Sequence, residues 1–166
     1  PLTINANQMD VVQAGTVLGV NSNLDLAETV VVAAADFTIN TGGAFNMNNS
    51  ITTSGEFNLN AATGITMGEP SSITSNNNNI TMTATGGDVL LGLVDAGSGD
   101  VFITAEAGSI LNNNGVFTDV TKSKINIQAT NVELTASQRI GASSTDAITI
   151  NASPAGKIVL DFNADK

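Results

Sequence analysis

Cysteine, histidine, tryptophan and tyrosine are all absent from the 166-residue sequence, and charged residues make up only 12% of it. The absence of cysteine rules out disulfides, and the absence of both cysteine and histidine argues against zinc and copper sites. A nucleophilic triad is disfavoured too, because its nucleophile needs a neighbouring base, and the chain has four lysines and no histidine. We therefore predict that the protein is not an enzyme and has no catalytic residues, no cofactor and no transition metal.

Basic residues are scarce as well, since five lysines and arginines oppose fifteen aspartates and glutamates, and the net charge is −10. Binding to nucleic acid or to an anionic membrane surface requires clustered basic residues, so we expect neither partner. No apolar run approaches the roughly 18 residues of a membrane span, and we expect no membrane insertion. The chain begins with Pro1 and shows no signal peptide, so we expect that a leader has been removed or that a longer protein surrounds this segment.

The sequence does contain an internal repeat of short apolar–x–apolar triplets, in three interleaved rows with a shared period of about 22 residues. The first row starts at Phe37, Phe57, Ile80, Val101, Ile125 and Ile148. The second row starts at Phe45, Ile65, Val89, Ile110, Val132 and Ile158. The third row starts at Ile51, Ile73, Val94, Val116 and Ile140.

Alternation with a period of two indicates strands, and three short strands in a fixed cycle with Gly, Asn and Ser between them indicate a solenoid. A hairpin sandwich or barrel would need longer strands and tight turns, and a helical repeat would need better helix formers. We predict an all-β fold, a right-handed parallel β-helix with three strands per coil, about 22 residues per coil and about seven coils. Residues 1–166 form one domain in this prediction, with 1–36 less regular than 37–166, and LTINA at 2–6 is assigned to the first row.

The alternation assigns an inward and an outward side to each strand of the first row. The predicted core stack is Phe37, Ile39, Phe57, Leu59, Ile80, Met82, Val101, Ile103, Ile125, Ile127, Ile148 and Ile150. The predicted outer polar ladder is Thr38, Asn40, Asn58, Asn60, Thr81, Thr83, Thr104, Asn126, Gln128, Thr149 and Asn151. This nearly uncharged face is a candidate surface for hydrogen bonding to carbohydrate or to neighbouring fibres. Regular threonine ranks on a solenoid can bind ice, but Asn, Gln and Phe102 interrupt the ranks here.

Two further features have both a functional and a structural interpretation. Asp88, Asp95 and Asp100 fall in one coil and are weak candidates for a calcium site, although aspartate after glycine is also a common turn residue. The asparagine runs SNNNNI at 75–80 and LNNNGV at 111–116 form either loops that contact a glycan or a surface, or corners in which asparagine adopts the left-handed conformation and stacks in amide ladders.

The segments TATGGDVLLGLVDAGSGDVFITAEAGSI, INIQATNVELTASQRIGASSTDAITINA and the closing GKIVL resemble the repeat region of filamentous-haemagglutinin-like exoproteins. The resemblance covers residues 37–160 well and residues 1–36 loosely. Members of that family are very long secreted bacterial surface proteins, many of them adhesins, whose repeats fold as right-handed β-helices. The resemblance therefore implies an extracellular or cell-surface location, and the lack of cysteine and the bias toward Asn, Thr and Gly agree with it.

We predict a structural or adhesive rod segment of a secreted bacterial surface protein. PLTINA and KIVLDFNADK, at the two ends, have the pattern of interrupted repeat, so the expected partners are further coils of a longer chain or other copies stacked end to end into a filament. Surface glycans are a further expected partner. The alternatives are a carbohydrate- or ice-binding solenoid and, least favoured because Arg139 is the only arginine, a β-helix enzyme that acts on polysaccharides.

Overall fold

The computed structural model describes residues 2–4, 8–11, 16–27, 29–32, 36–115, 125–142 and 147–162. Twenty short strands lie in this part of the chain, and none of its residues is helical. Each strand pairs in parallel with the equivalent strands one coil before and one coil after it, so three sheets run along one axis. The predicted all-β parallel solenoid with three strands per coil is confirmed.

We number the three sheets after the three rows of triplets. Sheet 1 contains β3 (Thr16–Val20), β6 (Phe37–Thr41), β9 (Phe57–Ala61), β12 (Ile80–Ala84), β15 (Val101–Ala105), β18 (Val132–Ala136) and β20 (Ile158–Phe162). Sheet 2 contains β1 (Leu2–Ile4), β4 (Leu24–Leu26), β7 (Phe45–Met47), β10 (Ile65–Met67), β13 (Val89–Leu91) and β16 (Ile110–Asn112). Sheet 3 contains β2 (Gln8–Val11), β5 (Thr29–Val32), β8 (Ser50–Thr53), β11 (Ser72–Thr74), β14 (Leu93–Asp95), β17 (Ile127–Ala129) and β19 (Ile150–Ala152).

The seven strands of sheet 1 are joined by six turns of the chain, one fewer than the seven coils predicted. Equivalent corner residues just before β6, β9, β12 and β15 are separated by 20, 23 and 21 positions in the sequence. A regular coil therefore takes about 21 residues. Neighbouring strands lie about 4.8 Å apart in the hydrogen-bonding direction, and six turns make a rod about 30 Å long.

The core consists of apolar side chains stacked along the axis inside the three sheets. In sheet 1, Phe37 and Ile39 lie above Phe57 and Leu59, and the two phenylalanine rings are 6.1 Å apart at an angle of 45°. All four residues are fully buried, because alternate positions of each strand point inward. The same inward positions in later coils and in the other sheets hold Ile80, Met82, Val101, Ile103, Phe45, Met47, Ile65, Met67, Val89, Leu91, Ile51, Ile73 and Val94.

The predicted core stack is wrong after residue 115. Ile127 and Ile150 belong to sheet 3 and not to sheet 1, since Ile127 pairs with Val94 and then with Ile150. Ile127 is fully buried in that sheet, whereas Ile150 is half-buried. Ile125 and Ile148 precede the two strands and are also half-buried. These four residues therefore do not continue the stack that begins at Phe37.

After residue 115 the members of the second and third predicted rows also lie in a different sheet from the one predicted. Val132 and Ile158, assigned to the second row, start the last two strands of sheet 1. Ile140, assigned to the third row, bridges to Ile110 of sheet 2. Val116, the remaining member of the predicted third row, lies outside the described residues.

One long coil explains every one of these changes. Asp100 and Asn131, the residues just before β15 and β18, are separated by 31 positions, whereas Asn79 and Asp100, one coil earlier, are separated by 21. Sheet 3 has a similar excess, because Val94 pairs with Ile127, 33 positions later, whereas Ile73 pairs with Val94, 21 positions later. A constant period, applied across this insertion, counts one strand too many and moves each later triplet to the neighbouring sheet.

The N-terminal coils are more regular than predicted. Leu2 pairs with Leu24, so the strand in LTINA belongs to sheet 2 and not to the first row. β2 pairs with β5 and β3 pairs with β6, both at the separation of a regular coil. The irregular part of the solenoid therefore begins at Val101, where two successive coils of sheet 1 take 31 and 26 residues, and the strands before Phe37 follow the regular spacing.

Candidate functional site

The outer face of sheet 1 carries the first seven residues of the predicted polar ladder. One line crosses β6, β9 and β12 and is followed by Phe102 in β15, and the other crosses all four strands. None of the seven residues is buried: Thr38, Asn58 and Thr81 in the first line, and Asn40, Asn60, Thr83 and Thr104 in the second. Asn60 Nδ2 donates to Asn40 Oδ1 across 2.8 Å, so adjacent amides on this face bond to each other. The face therefore presents uncharged hydroxyl and amide groups at the strand spacing of about 4.8 Å.

The last four residues of the predicted ladder lie elsewhere, because the long coil moves them to sheet 3. Gln128 and Asn151 face outward there, in register with Asp95. Thr149 is half-buried just before β19. Asn126 is fully buried, so its assignment to an outer face is wrong. The outward positions in the last two strands of sheet 1 are Glu133, Thr135, Val159 and Asp161.

Asn126 is the centre of a buried network that holds the long coil against the regular ones. Its Nδ2 donates to the carbonyl of Leu91 at 3.1 Å and to Asn112 Oδ1 at 2.8 Å. Its Oδ1 accepts from the backbone N–H of Thr149 at 3.0 Å. One side chain thus connects three successive coils, and each of its bonds replaces a water contact that burial removes.

The run LNNNGV supplies the rest of this network. Asn112 occupies the inward position that Leu91 holds one coil earlier, and its Oδ1 also accepts from the N–H of Asn114 at 2.8 Å. Asn114 Nδ2 reaches the carbonyl of Ile125 at 3.0 Å, and Asn113 Nδ2 reaches the carbonyl of Met67 at 2.7 Å. These asparagines therefore close the base of the insertion. None of the three has the left-handed φ that the structural interpretation of the run predicts.

The run SNNNNI also forms a corner. Asn76 and Asn77 have φ angles of 49° and 74°, in the left-handed region that asparagine tolerates better than other residues with a side chain. Asn78 Nδ2 donates to the carbonyls of Ser75 and Ser54, and Asn77 Oδ1 accepts from a backbone N–H in the next coil. The amides of this run are used mainly to hold adjacent corners together.

The three candidate calcium ligands are not brought together. Asp88 lies just before β13, Asp95 is the last residue of β14, and Asp100 lies just before β15. Each carboxylate accepts from a backbone N–H, that of Ser109, Gly97 and Asn131 respectively. The described residues contain no group of three or more His, Cys, Asp or Glu residues that could hold a metal ion. Convergence on calcium is therefore wrong for these aspartates, because they form no such group and each carboxylate bonds to a different backbone N–H.

A row of oxygen-bearing side chains runs along the corner before sheet 1. Four of its five members accept a hydrogen bond from the backbone N–H of the equivalent corner residue one coil later, and the fifth, Glu56, accepts from Asn79 Nδ2 at 3.4 Å. Asp36 accepts from Glu56, Asn79 from Asp100, Asp100 from Asn131, and Asn131 from Lys157, at 2.9 to 3.0 Å. The row crosses the long coil without a break, so it keeps sheet 1 in register on both sides of the insertion.

Asp100 is the member of this row that spans the insertion, and Asp100→Ala is expected to destabilise the fold by about 1–3 kcal/mol. The reason is that Asp100 Oδ1 accepts from both the backbone N–H and the Nδ2 of Asn131, at 3.0 and 2.8 Å. Asp100→Asn keeps an acceptor oxygen and should cost less than about 1 kcal/mol. Urea unfolding measures both changes. Glu106→Ala removes an exposed carboxylate of the same coil, and an equal loss for Glu106→Ala and Asp100→Ala would contradict the assignment.

Phe102 borders a shallow hollow on the outer face of sheet 1. The hollow has a volume of about 270 Å³, and its lining is Phe102, Asn131, Val132, Glu133, Lys157 and Val159. Phe102, Glu133 and Val159 are adjacent in register on three successive strands, and the Phe102 side chain is 36% exposed. This is a place where an aromatic ring and charged groups of both signs meet on the side of the rod.

The apolar interior is accessible at the C-terminal end of the described solenoid. Ile158 and Leu160 occupy inward positions of β20, yet they are 48% and 47% exposed. Leu160 also lines a pocket with three half-buried residues, Ile140, Ile148 and Ile150. The last coil thus leaves its core side chains partly uncovered, in contrast to the fully buried equivalents in the middle of the rod.

Sequence reasoning missed the buried Asn126 network and the corner row. A signal for the corner row is present in the sequence, since Asp, Glu or Asn precedes five strands of sheet 1, whereas Lys124 precedes INIQA and Ala147 precedes ITINA. In the part of the chain that the structure describes, no helix is long and apolar enough to span a membrane. No protein-family model matches the sequence, and neither the curated proteins nor the solved structures provide a match to this chain.

Proposed function

We propose that the protein is a non-catalytic rod segment of a secreted bacterial surface protein, and that its ends pack coaxially against further coils or against other copies of the chain. The observation that carries the proposal is the uninterrupted stacking of three parallel sheets around a continuous apolar core. In such a solenoid each coil contacts only its neighbours, so length can be added without a change of design. A rod of this kind acts as a stiff spacer.

The partly uncovered last coil supports end-to-end packing. β20 and β19 are edge strands of their sheets, so their outer N–H and C=O groups have no strand partner within the described chain. Apolar side chains beside free strand edges form a template for another parallel coil. A contact between one end and the opposite end of a second copy does not close on itself, and it therefore continues into a filament.

The distribution of charge favours the same contact. The two basic residues of the described part, Arg139 and Lys157, both lie in the last coils of the rod. The first coils carry Asp25 and Asp36, and no lysine or arginine precedes them in the sequence. Glu133 and Asp161 balance the two basic residues, so the described C-terminal coils carry no net charge. Head-to-tail packing therefore places a neutral end against an acidic one, whereas head-to-head packing brings two acidic ends together.

The test of assembly is a double substitution, Ile158→Lys/Leu160→Lys, measured by analytical ultracentrifugation and negative-stain electron microscopy over a range of concentrations. We expect the unaltered chain to form concentration-dependent linear assemblies and the double variant to remain monomeric, because two ammonium groups cannot be buried in an apolar contact. Asp161→Lys is the matched control. It changes the net charge by the same amount from an outward position of β20, and it should leave the assembly largely intact.

A chain that stays monomeric at every concentration would contradict self-assembly, and assemblies unaffected by the double substitution would contradict this end as the contact. The extracellular and adhesive parts of the proposal rest on the resemblance of the repeat and on the outer face of sheet 1. That face presents hydroxyl and amide groups in ranks, which suits weak contacts repeated along a surface.

A further inference from the structure

The hollow beside Phe102 has features of a binding site that stacking of the solenoid does not require. Thr81 occupies the same outward position one strand earlier, so a polar side chain is compatible with this sheet. Among the described residues, the exposed large apolar side chains are Phe102, Ile158 and Leu160, and the latter two belong to the open end of the core. Phe102 is therefore an aromatic ring presented to solvent on the side of the rod.

The polar groups around the ring are available to a ligand. Glu133 and Lys157 both line the hollow and are exposed. Within the described residues, neither the Glu133 carboxylate nor the Lys157 ammonium has a hydrogen-bond or ion-pair partner. Asn131 is different, since its amide is already bonded to Asp100 and to the backbone of Lys157. The corner row thus fixes the wall of the hollow, and Glu133 and Lys157 supply a free acceptor and a free donor.

These features point to a saccharide as the ligand. The face of an aromatic ring is electron-rich and packs against the weakly positive C–H groups on one face of a pyranose. The carboxylate accepts hydrogen bonds from sugar hydroxyls, and the ammonium donates to their oxygens. A volume of about 270 Å³ is slightly below the range for drug-sized ligands, so the hollow suits a single ring.

We infer that the hollow formed by Phe102, Glu133, Lys157 and Val159 binds one neutral pyranose unit of a glycan. A neutral sugar is favoured over an anionic one, because the carboxylate would repel an acidic sugar and the chain is strongly acidic overall. A protein partner is disfavoured, because one exposed ring offers far less area than a stable protein interface needs. Thr104 and Thr135, adjacent to each other on the same face, extend the site with two hydroxyl groups for a second sugar.

The experiment is a titration of the isotope-labelled chain with the methyl pyranosides of glucose, galactose, mannose and N-acetylglucosamine, followed by amide chemical-shift changes in NMR spectra. For a small neutral ligand we expect a Kd in the millimolar range with at least one of the four. The shifts should be confined to the region of Phe102, Thr104 and Glu133. Phe102→Ala should weaken this binding at least tenfold, and Glu133→Ala should weaken it several-fold.

Thr81→Ala is the matched control, because Thr81 lies next to Phe102 on the same face but outside the hollow. It should bind the sugar as the unaltered chain does, and thermal melting should show that all three variants are folded. Absence of shifts with all four sugars, or unchanged binding by Phe102→Ala, would overturn the inference. Tighter binding of methyl glucuronide than of the neutral sugars would also overturn it. These readouts do not depend on end-to-end assembly, which the Ile158→Lys/Leu160→Lys variant tests separately.

Discussion

Met82→Asp is expected to remove most of the stability of the solenoid. Met82 is fully buried in β12, between Leu59 of the preceding coil and Ile103 of the following one. A carboxylate at this position has no cation and no hydrogen-bond donor among its apolar neighbours, and a buried charge without a partner costs about 3–5 kcal/mol. Domains have a net stability of about 5–15 kcal/mol, so the loss is a large fraction of the total. Urea unfolding followed by far-UV circular dichroism measures it.

Thr83→Asp provides the control, because the two positions are consecutive and differ only in the side of the sheet they face. Thr83 lies on the outer face between Asn60 and Thr104, where a carboxylate remains hydrated. We expect Thr83→Asp to change the free energy of unfolding by less than about 1 kcal/mol. Similar losses for the two variants would contradict the inward and outward assignment, since a slip of one residue exchanges the two faces of a strand.

Asn126→Ala is expected to have the second-largest effect, about 3 kcal/mol. The substitution leaves the N–H of Thr149 without the acceptor that Asn126 provides, and Asn112 Oδ1 loses the Asn126 donor. The carbonyl of Leu91 loses one donor and keeps the N–H of Asn113. Urea unfolding gives the free energy. Hydrogen exchange gives the location, because the Thr149 amide should lose its protection before the regular coils do.

Asn151→Ala is the matched control for this network. Both asparagines belong to the sheet 3 side of the last coils, but Asn151 is exposed and faces outward. Its removal should change the stability by no more than about 0.5 kcal/mol. Equal effects of the two substitutions would indicate that the Asn126 bonds contribute nothing beyond those of a surface amide.

The architecture could be predicted from the sequence because the regular coils repeat one pattern. FTINT, FNLNA, ITMTA and VFITA each place three inward side chains on one short strand, and they recur at nearly constant spacing. Alternation determines which side of a strand is buried, and spacing determines which strands stack. Both kinds of information agree between residues 37 and 115, and there the predicted strands and their burial match the structure.

The sheets to which the strands after residue 115 belong could not be predicted from alternation and spacing. INIQA at 125–129 and ITINA at 148–152 have the alternation of ITMTA, so their composition does not say to which sheet they belong. Because of the insertion before Ile125, the spacing no longer shows which strands stack on each other. The burial of Asn126 depends on hydrogen bonds to residues that are distant in the sequence. The hollow beside Phe102 could also be predicted only in part. Phe102 is recognisable as an interruption of a polar rank, but Lys157 comes near it only through the pairing of β18 with β20.

Parallel stacking along one axis has a mechanical consequence for a rod under tension. The hydrogen bonds of all three sheets point along the axis, so a pull between the two ends stretches them end-on, one coil interface at a time. Each coil contacts only its neighbours, and rupture therefore proceeds in steps, one coil after another. A regular coil releases about 70 Å of chain when it unravels, whereas the longer coil after Val101 releases about 100 Å. The protein would thus lengthen under load in discrete increments while the rest of the rod keeps its structure.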